Sequence, residues 1–291
     1  MNEFKLFIGF FRDAIPTVVR NRVALAFGLL LTLSSLEYFS SLLEEGAPLD
    51  RYRYAAIDLF SAQPWFLAAL PVTIALSTFF KGGLILALAE RKPAFGKISK
   101  RISSSFWKLY ALEVGALLSL FLLLVVLLVP AMLTADTPGL WNNLAFLGIA
   151  VFLPISIVIA LMEIYAFFYL VLSKTTLRSS VELAYALFVK RAATSLVFGA
   201  LSILVLIIFS VVIGIMLGIS DALIPNSNGG ALFVIAVLFL FQGAMAVIQK
   251  SAWLSFFRFI ATPEEPAQTE TADEASQKEK NVIQKEVPGI G

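Results

Sequence analysis

Six long apolar runs dominate the pattern of hydrophobic and polar positions along the chain. They are separated by short polar segments and cover residues 23–43, 65–88, 106–133, 140–173, 192–219 and 231–261. An α-helix needs about 20 apolar residues to cross a hydrocarbon core of about 30 Å, and every run reaches that length. The pattern therefore predicts an all-α fold, a polytopic bundle of six transmembrane helices over residues 1–261.

Three shorter segments have apolar residues at helical spacing with charged residues between them. Near the N-terminus, Phe4, Phe7, Ile8, Phe11 and Ile15 recur every three or four residues. The other two segments, 94–105 and 175–189, precede the third and fifth spans. Amphipathic helices of this kind lie at the membrane interface, so we expect interfacial helices there. The repeated order of span, amphipathic helix and span is explained either by an internal duplication or by two ordinary hairpins with basic loops.

Lys and Arg residues accumulate on alternate connections between the spans. Most of them lie before the first span, in 91–108 and in 174–191, whereas the connections on the other side contain only Arg51 and Arg53. Short basic connections stay on the cytoplasmic side of a membrane. Both termini are therefore predicted to be cytoplasmic.

Composition limits the chemistry that the chain can perform. It is 59% hydrophobic and 14% charged, and it contains neither Cys nor His. This excludes disulfides, thiolate metal sites, Cys nucleophiles and the commonest general base. The sequence also has no nucleotide-binding glycine loop and no nucleophile elbow, and we expect no cofactor or metal. Residues 262–291 are rich in acidic residues and Pro, which predicts a disordered cytoplasmic tail.

Two stretches of sequence resemble a known group of proteins. One begins at Gly82 with GGLILALAER and continues through a short basic segment to FWKL at 106–109, and the other is SSVELAYALFVKR at 179–191. Both are similar to six-span bacterial and archaeal membrane proteins of unknown function, some related to the membrane domain fused to glycerophosphodiester phosphodiesterases. The resemblance implies a helical domain in a prokaryotic cell membrane. The phosphodiesterase catalytic barrel has no counterpart in this sequence, so that activity is not implied.

Four ionisable residues lie inside the apolar runs, where charged side chains are costly and often functional. They are Lys81, Glu113, Glu163 and Lys250. At a rise of 1.5 Å per residue, all four fall roughly 8–17 Å inward from the cytoplasmic boundary, so opposite charges could pair. Two alternatives remain open. The cluster either lines a polar cavity or ion pathway that opens to the cytoplasm, or it holds helices together while both lysines extend to the interface.

These features favour a non-enzymatic integral membrane protein with a membrane-organising or accessory role. The alternative is a small transporter or channel that uses the four intramembrane charges, and a lipid-modifying enzyme is a third class. The expected partners are anionic lipid headgroups and another membrane protein, not nucleic acid. Basic residues between the second and third spans would attract the headgroups: Arg91, Lys92, Lys97, Lys100 and Arg101.

The predicted topology can be checked by cysteine labelling, because the chain has no native cysteine. A membrane-impermeant thiol reagent should label Thr137→Cys in intact cells, since the basic connections place residue 137 outside. Lys97→Cys should react only after permeabilisation. The reverse labelling pattern would contradict cytoplasmic termini.

Overall fold

The computed structural model describes residues 2–34, 65–133, 138–173, 175–223 and 228–262, which form α-helices and no β-strand. The end of the first predicted span and the predicted acidic tail lie outside these ranges. The helices are α1 (Asn2–Arg20), α2 (Arg22–Leu33), α3 (Trp65–Ala89), α4 (Phe95–Leu133), α5 (Pro138–Ser173), α6 (Leu177–Lys190), α7 (Ala192–Leu223) and α8 (Asn228–Ala261).

The helices confirm the predicted all-α, multi-pass architecture. Among the described residues, five helices are long and apolar enough to cross a membrane, and the number rises to six if α1 and α2 are counted as one bent span. The bounds of α3, α5, α7 and α8 lie within a few residues of the apolar runs, because the runs end where polar residues, glycines and prolines begin. The described residues thus form a bundle of antiparallel membrane helices, with α1 and α6 as shorter additions.

The turn between α1 and α2 is held by Asn21. The two helix axes differ in direction by 99°, as expected for an amphipathic helix that precedes a span. The Asn21 side-chain oxygen accepts a hydrogen bond from the Ala24 N–H at 2.9 Å and so caps α2. Its amide nitrogen donates to the Ala87 carbonyl at 2.8 Å. One side chain therefore caps the start of α2 and joins it to the end of α3.

The segment 94–105 differs from the prediction of a separate interfacial helix. It is the first part of α4, which continues without a break for 39 residues. The reason lies in the spacing of its buried residues: Ile98, Ile102, Leu109 and Leu112 share one face of the helix and are all buried. Because this face continues across the expected boundary, the chain gains nothing from a turn there. The corresponding segment before α7 is a separate helix, α6, as predicted.

Packing is dense at one end of the bundle, which we call the basic end: the end formed by α1, α6, the start of α4 and the last turns of α8. Phe198 of α7 stacks on Phe256 of α8 with ring centroids 4.0 Å apart. Phe7 of α1 packs edge-on against both rings. In α1, Phe7 and Phe11 are buried and Phe4, Ile8 and Ile15 are exposed, so only part of the predicted apolar stripe contacts the bundle.

Packing is sparse in the other half of α4 and α5. No side chain is buried between residues 114 and 127 of α4, and only Gly148 is buried between 146 and 160 of α5. A side chain on Gly148 would approach the Leu127 carbonyl oxygen at 3.0 Å, which shows that the two helices are close there. We call these two segments, 114–127 and 146–160, the distal hairpin.

Substitution of Gly28 tests the tight contact between α2 and α8. A Cβ atom there would lie 2.7 Å from the Gly243 carbonyl oxygen and 2.9 Å from a Val247 methyl group. The backbone oxygen cannot rotate away, so Gly28→Ala should lower the free energy of unfolding by about 1–3 kcal/mol. Thermal denaturation in detergent measures this. Gly214→Ala is the control because a Cβ there meets nothing within 4 Å, and equal melting of the two variants would contradict the close helix contact.

Candidate functional site: an ion-pair cluster between three helices

Two adjacent glycines position the cluster by letting α3 approach a different helix on each side. A Cβ on Gly82 would lie 3.0 Å from Ile102 of α4, and one on Gly83 would overlap the ring of Phe27 of α2. Neither position has room for a larger residue without displacement of its neighbour. Small residues of this kind let helix backbones come close in a membrane, and here they hold Lys81, the preceding residue, against α4 and α5.

Lys81 forms ion pairs with two carboxylates from two other helices. Its Nζ atom lies 3.1 and 3.2 Å from the two oxygens of Glu113 in α4 and 2.6 Å from an oxygen of Glu163 in α5. An ammonium group has three N–H donors and no acceptor, so these three contacts match its capacity. The structure thus brings together three of the four predicted residues, and one lysine binds both glutamates.

The three side chains are largely withdrawn from the surroundings. The side chain of Lys81 is 11% exposed and each carboxylate side chain is 18% exposed. The ammonium also lies 4.6 Å from the centre of the Phe167 ring, an attractive cation–π contact. Lys81 therefore does not extend to the membrane interface, as it would in the alternative where the cluster only holds helices together. That expectation is wrong for Lys81. With all three groups ionised, the cluster carries a net charge of −1.

Lys250, the fourth predicted residue, lies close to this cluster without joining it. It is half-buried on α8 and within electrostatic range of Lys81, Glu113 and Glu163. Within the described ranges it has no carboxylate oxygen within 4.0 Å, since the ion pairs there involve other cations. Its charge nevertheless balances the excess negative charge of the other three. The two predicted acids and two predicted bases therefore lie near one another, but they do not form two separate ion pairs.

A densely packed layer lies between the cluster and the basic end. In α3 the residues that follow the glycines, Leu84, Ile85, Leu86 and Ala87, are all buried, and so is the segment 165–168 of α5. On α8, Trp253 is also buried and donates a hydrogen bond from Nε1 to the Ser202 hydroxyl oxygen at 3.0 Å. This layer occupies the side on which the sequence analysis placed an opening to the cytoplasm. The sparsely packed distal hairpin begins on the opposite side, directly after Glu113.

Sequence reasoning missed two polar contacts beside the cluster. Arg101 forms an ion pair with Glu90 at 3.2 Å and so joins the end of α3 to α4, whereas the sequence analysis assigned it to lipid headgroups. The bond between Trp253 and Ser202, which joins α8 to α7, was also not foreseen. The ion pair could have been predicted, because Glu90 and Arg101 carry opposite charges on the two sides of a short connection. The hydrogen bond could not have been predicted, because a Ser and a Trp 51 residues apart give no sign that they meet.

Comparisons with known proteins returned no relatives. No protein-family model matches the chain, and neither a curated protein nor a solved structure is similar to it. The resemblance to six-span bacterial and archaeal membrane proteins thus stays a prediction.

Substitutions in the cluster should change stability in an order set by its charges. Lys81→Met leaves two carboxylates facing each other in a membrane interior, and such an unpaired buried charge costs about 3–5 kcal/mol. Glu163→Gln should cost less, because Lys81 still pairs with Glu113. Adding Glu113→Gln and Glu163→Gln to Lys81→Met should recover part of the loss, since the two facing carboxylates are then gone and only Lys250 keeps a charge there. Melting temperatures in detergent measure all three.

The control is Glu182→Gln, which removes an ion pair with Arg178 whose side chains are 62% and 90% exposed. Exposed pairs of this kind contribute little, so this variant should melt like the parent. If Lys81→Met also melted like the parent, the cluster would not hold the three helices together.

Proposed function

We propose that the chain is a non-enzymatic integral membrane protein with an accessory role, in which the distal hairpin contacts another membrane protein. The observation that carries this proposal is the division of the bundle into a packed half and an open half. The packed half contains the ion-pair cluster and the aromatic core. The open half consists of long apolar segments that contact little else in the described part of the chain, and these are available to a partner.

The surface of the distal hairpin supports this role by its extent. Large apolar side chains are exposed along the whole of both segments, and in α4 they include neighbours such as Leu117 and Leu118, then Phe121 and Leu122. Neighbouring residues on a helix point in different directions, so α4 is exposed around much of its circumference. One side of this part of α4 is half-buried against α5, as at Leu127 and Gly148, and the rest of its surface is exposed. Helices associate in membranes by packing and not by hydrophobic burial, so a second protein could complete the bundle here.

The charge cluster is better suited to holding helices than to carrying a substrate. Its two acids and one base come from three different helices, and the ammonium contacts both carboxylates at distances of 2.6–3.2 Å. A substrate ion that entered would have to displace one of these contacts, which costs several kcal/mol in a low-dielectric interior. The cluster thereby gives the open half a rigid base from which the hairpin extends.

A transporter or channel is the second candidate, and one observation favours it. Lys250 is a cation without an ion-pair partner among the described side chains, and it lies near carboxylates that remain 18% exposed. A group of this kind could take up or release a proton when a counter-ion binds. The candidate therefore predicts a flux that depends on Glu163 and Lys250.

The proposed location is the cell membrane of a prokaryote, with both termini in the cytoplasm. The multi-pass architecture supports a membrane location, and the basic residues supply the orientation. Lys97 and Lys100 at the start of α4 and Arg178 in α6 are exposed at the same end of the bundle. Anionic headgroups on the cytoplasmic face would surround that end.

Photocrosslinking tests the accessory role. A photoreactive phenylalanine analogue at Phe121 or Leu153 of the distal hairpin should give crosslinked products of discrete protein mass in cells, because a partner covers this surface. The matched control is Leu240 of α8, which is 54% exposed against 61% for Phe121 and 55% for Leu153; it should crosslink only to lipid. Equal products at all three positions would mark the hairpin as ordinary lipid-facing surface.

Ion flux into proteoliposomes that is lost in Glu163→Gln and kept in Glu182→Gln would instead favour the transporter.

A further inference from the structure

A lateral groove runs between α3 and α4, apart from both the ion-pair cluster and the distal hairpin. It has a volume of about 500 Å³ and is lined mainly by apolar and aromatic side chains: Ala75, Leu76, Phe79, Phe106, Trp107 and Tyr110. The volume lies in the range of small-molecule sites, about 300–1,000 Å³. Because the groove opens on the side of two membrane-crossing helices, hydrocarbon is the chemistry that fits it.

Aromatic contacts make the α4 wall of the groove a continuous surface. The rings of Phe106 and Tyr110 stack with centroids 5.8 Å apart, and Trp107 packs edge-on against Phe106 at 5.3 Å. Phe79 of α3 lies 6.4 Å from Phe106 and joins the two walls. Trp107 is 75% exposed, although Trp is an apolar side chain with one polar atom. Such residues are enriched at the level of lipid headgroups, which places this end of the groove at the membrane interface.

A cation stands at the same end of the groove. Lys100 lies three residues before Ser103, a groove residue, and seven before Trp107, so the three share one face of α4. Lys100 is exposed and has no ion pair among the residues that the structure describes. Arg101, the next residue, is engaged by Glu90. Lys97 is also exposed, but it is six residues from Ser103 and so lies beyond Lys100, farther around the helix from the groove residues.

We propose that the groove is a binding site for one anionic phospholipid of the surrounding bilayer. An acyl chain occupies the space between Ala75 and Phe106, and the headgroup phosphate lies beside Lys100 and the indole of Trp107. The apolar groove matches the acyl chain of a phospholipid, and the cation at its interfacial end matches the anionic headgroup. It also assigns separate roles to the basic residues: Lys100 binds a specific headgroup, Arg101 holds α3 to α4, and Lys97 contributes only general attraction.

Native mass spectrometry of the full chain in detergent tests this site. The protein is titrated with phosphatidylglycerol and, separately, with phosphatidylcholine of the same acyl chains. We expect one phosphatidylglycerol to bind more tightly than the next, and more tightly than phosphatidylcholine. Lys100→Gln should weaken phosphatidylglycerol binding about fivefold, the effect of one basic residue near an anionic lipid, and leave phosphatidylcholine binding unchanged. Lys97→Gln is its matched control and should retain the parent affinity.

The acyl-chain half of the site is tested by filling the groove. Ala75→Phe should weaken the binding of both lipids, whereas Ala200→Phe, at an exposed position on α7, should not. Trp107→Ala removes a mostly exposed wall of the groove without touching the core, so it should also weaken both lipids even if Ala75→Phe fails to fold. Equal losses in Lys100→Gln and Lys97→Gln, or parent-like binding in Trp107→Ala, would overturn the proposal.

Discussion

The three-way ion pair of Lys81 is the interaction on which the arrangement of the membrane helices depends. Lipid is as apolar as the side chains it surrounds, so burial alone does not drive membrane helices together. A charge in that environment is costly until an opposite charge reaches it. Lys81, Glu113 and Glu163 come from three helices and satisfy one another only when those helices stand at one relative height and rotation. The cost of leaving any of them unpaired therefore fixes α3, α4 and α5 together.

Close packing extends this fixed arrangement toward the basic end. Gly82 and Gly83 bring α3 against α4 and α2, and Gly28 brings α2 against α8. Stacked and edge-on rings then join α8 to α1 and α7. Each contact is short-ranged, so its effect ends where the small residues and rings end. Beyond Glu113 no such contact joins the described side chains of α4 to the packed half, so the distal hairpin stands apart.

Two surfaces with different chemistry result from this division. The distal hairpin is apolar except for two serines whose hydroxyls bond to the backbone, and it lacks charge, which suits another membrane segment. The groove between α3 and α4 is apolar along its length and has Lys100 and Trp107 at one end, which suits an amphipathic lipid. A protein that binds a particular lipid and a particular membrane protein can bring the two together. The proposed organising role and the proposed lipid site are therefore compatible, although each depends on its own contacts.

The helices and the depth of the charged residues could be predicted from the order of the amino acids. Apolar runs of sufficient length can only be helices in a bilayer, because backbone groups must be satisfied within the segment. Their ends agree with the structure within a few residues for α3 and α5. Depth follows from counting residues along a helix, so Lys81, Glu113, Glu163 and Lys250 were found as one tier. The continuity of α4 was not predicted. A basic amphipathic segment is typical of an interfacial helix, and the sequence does not show that its apolar face packs against other helices.

Which charges meet and which surfaces stay open depends on how the helices pack against one another. Depth says nothing about rotation around a helix axis, so the choice of Lys81 over Lys250 as the partner of both glutamates was beyond the sequence. The same holds for Trp253 and Ser202, whose hydrogen bond joins helices far apart in the chain. Rotation and tilt are set by contacts among all neighbouring helices at once, and a single sequence records the residues that can make such contacts without recording which of them do.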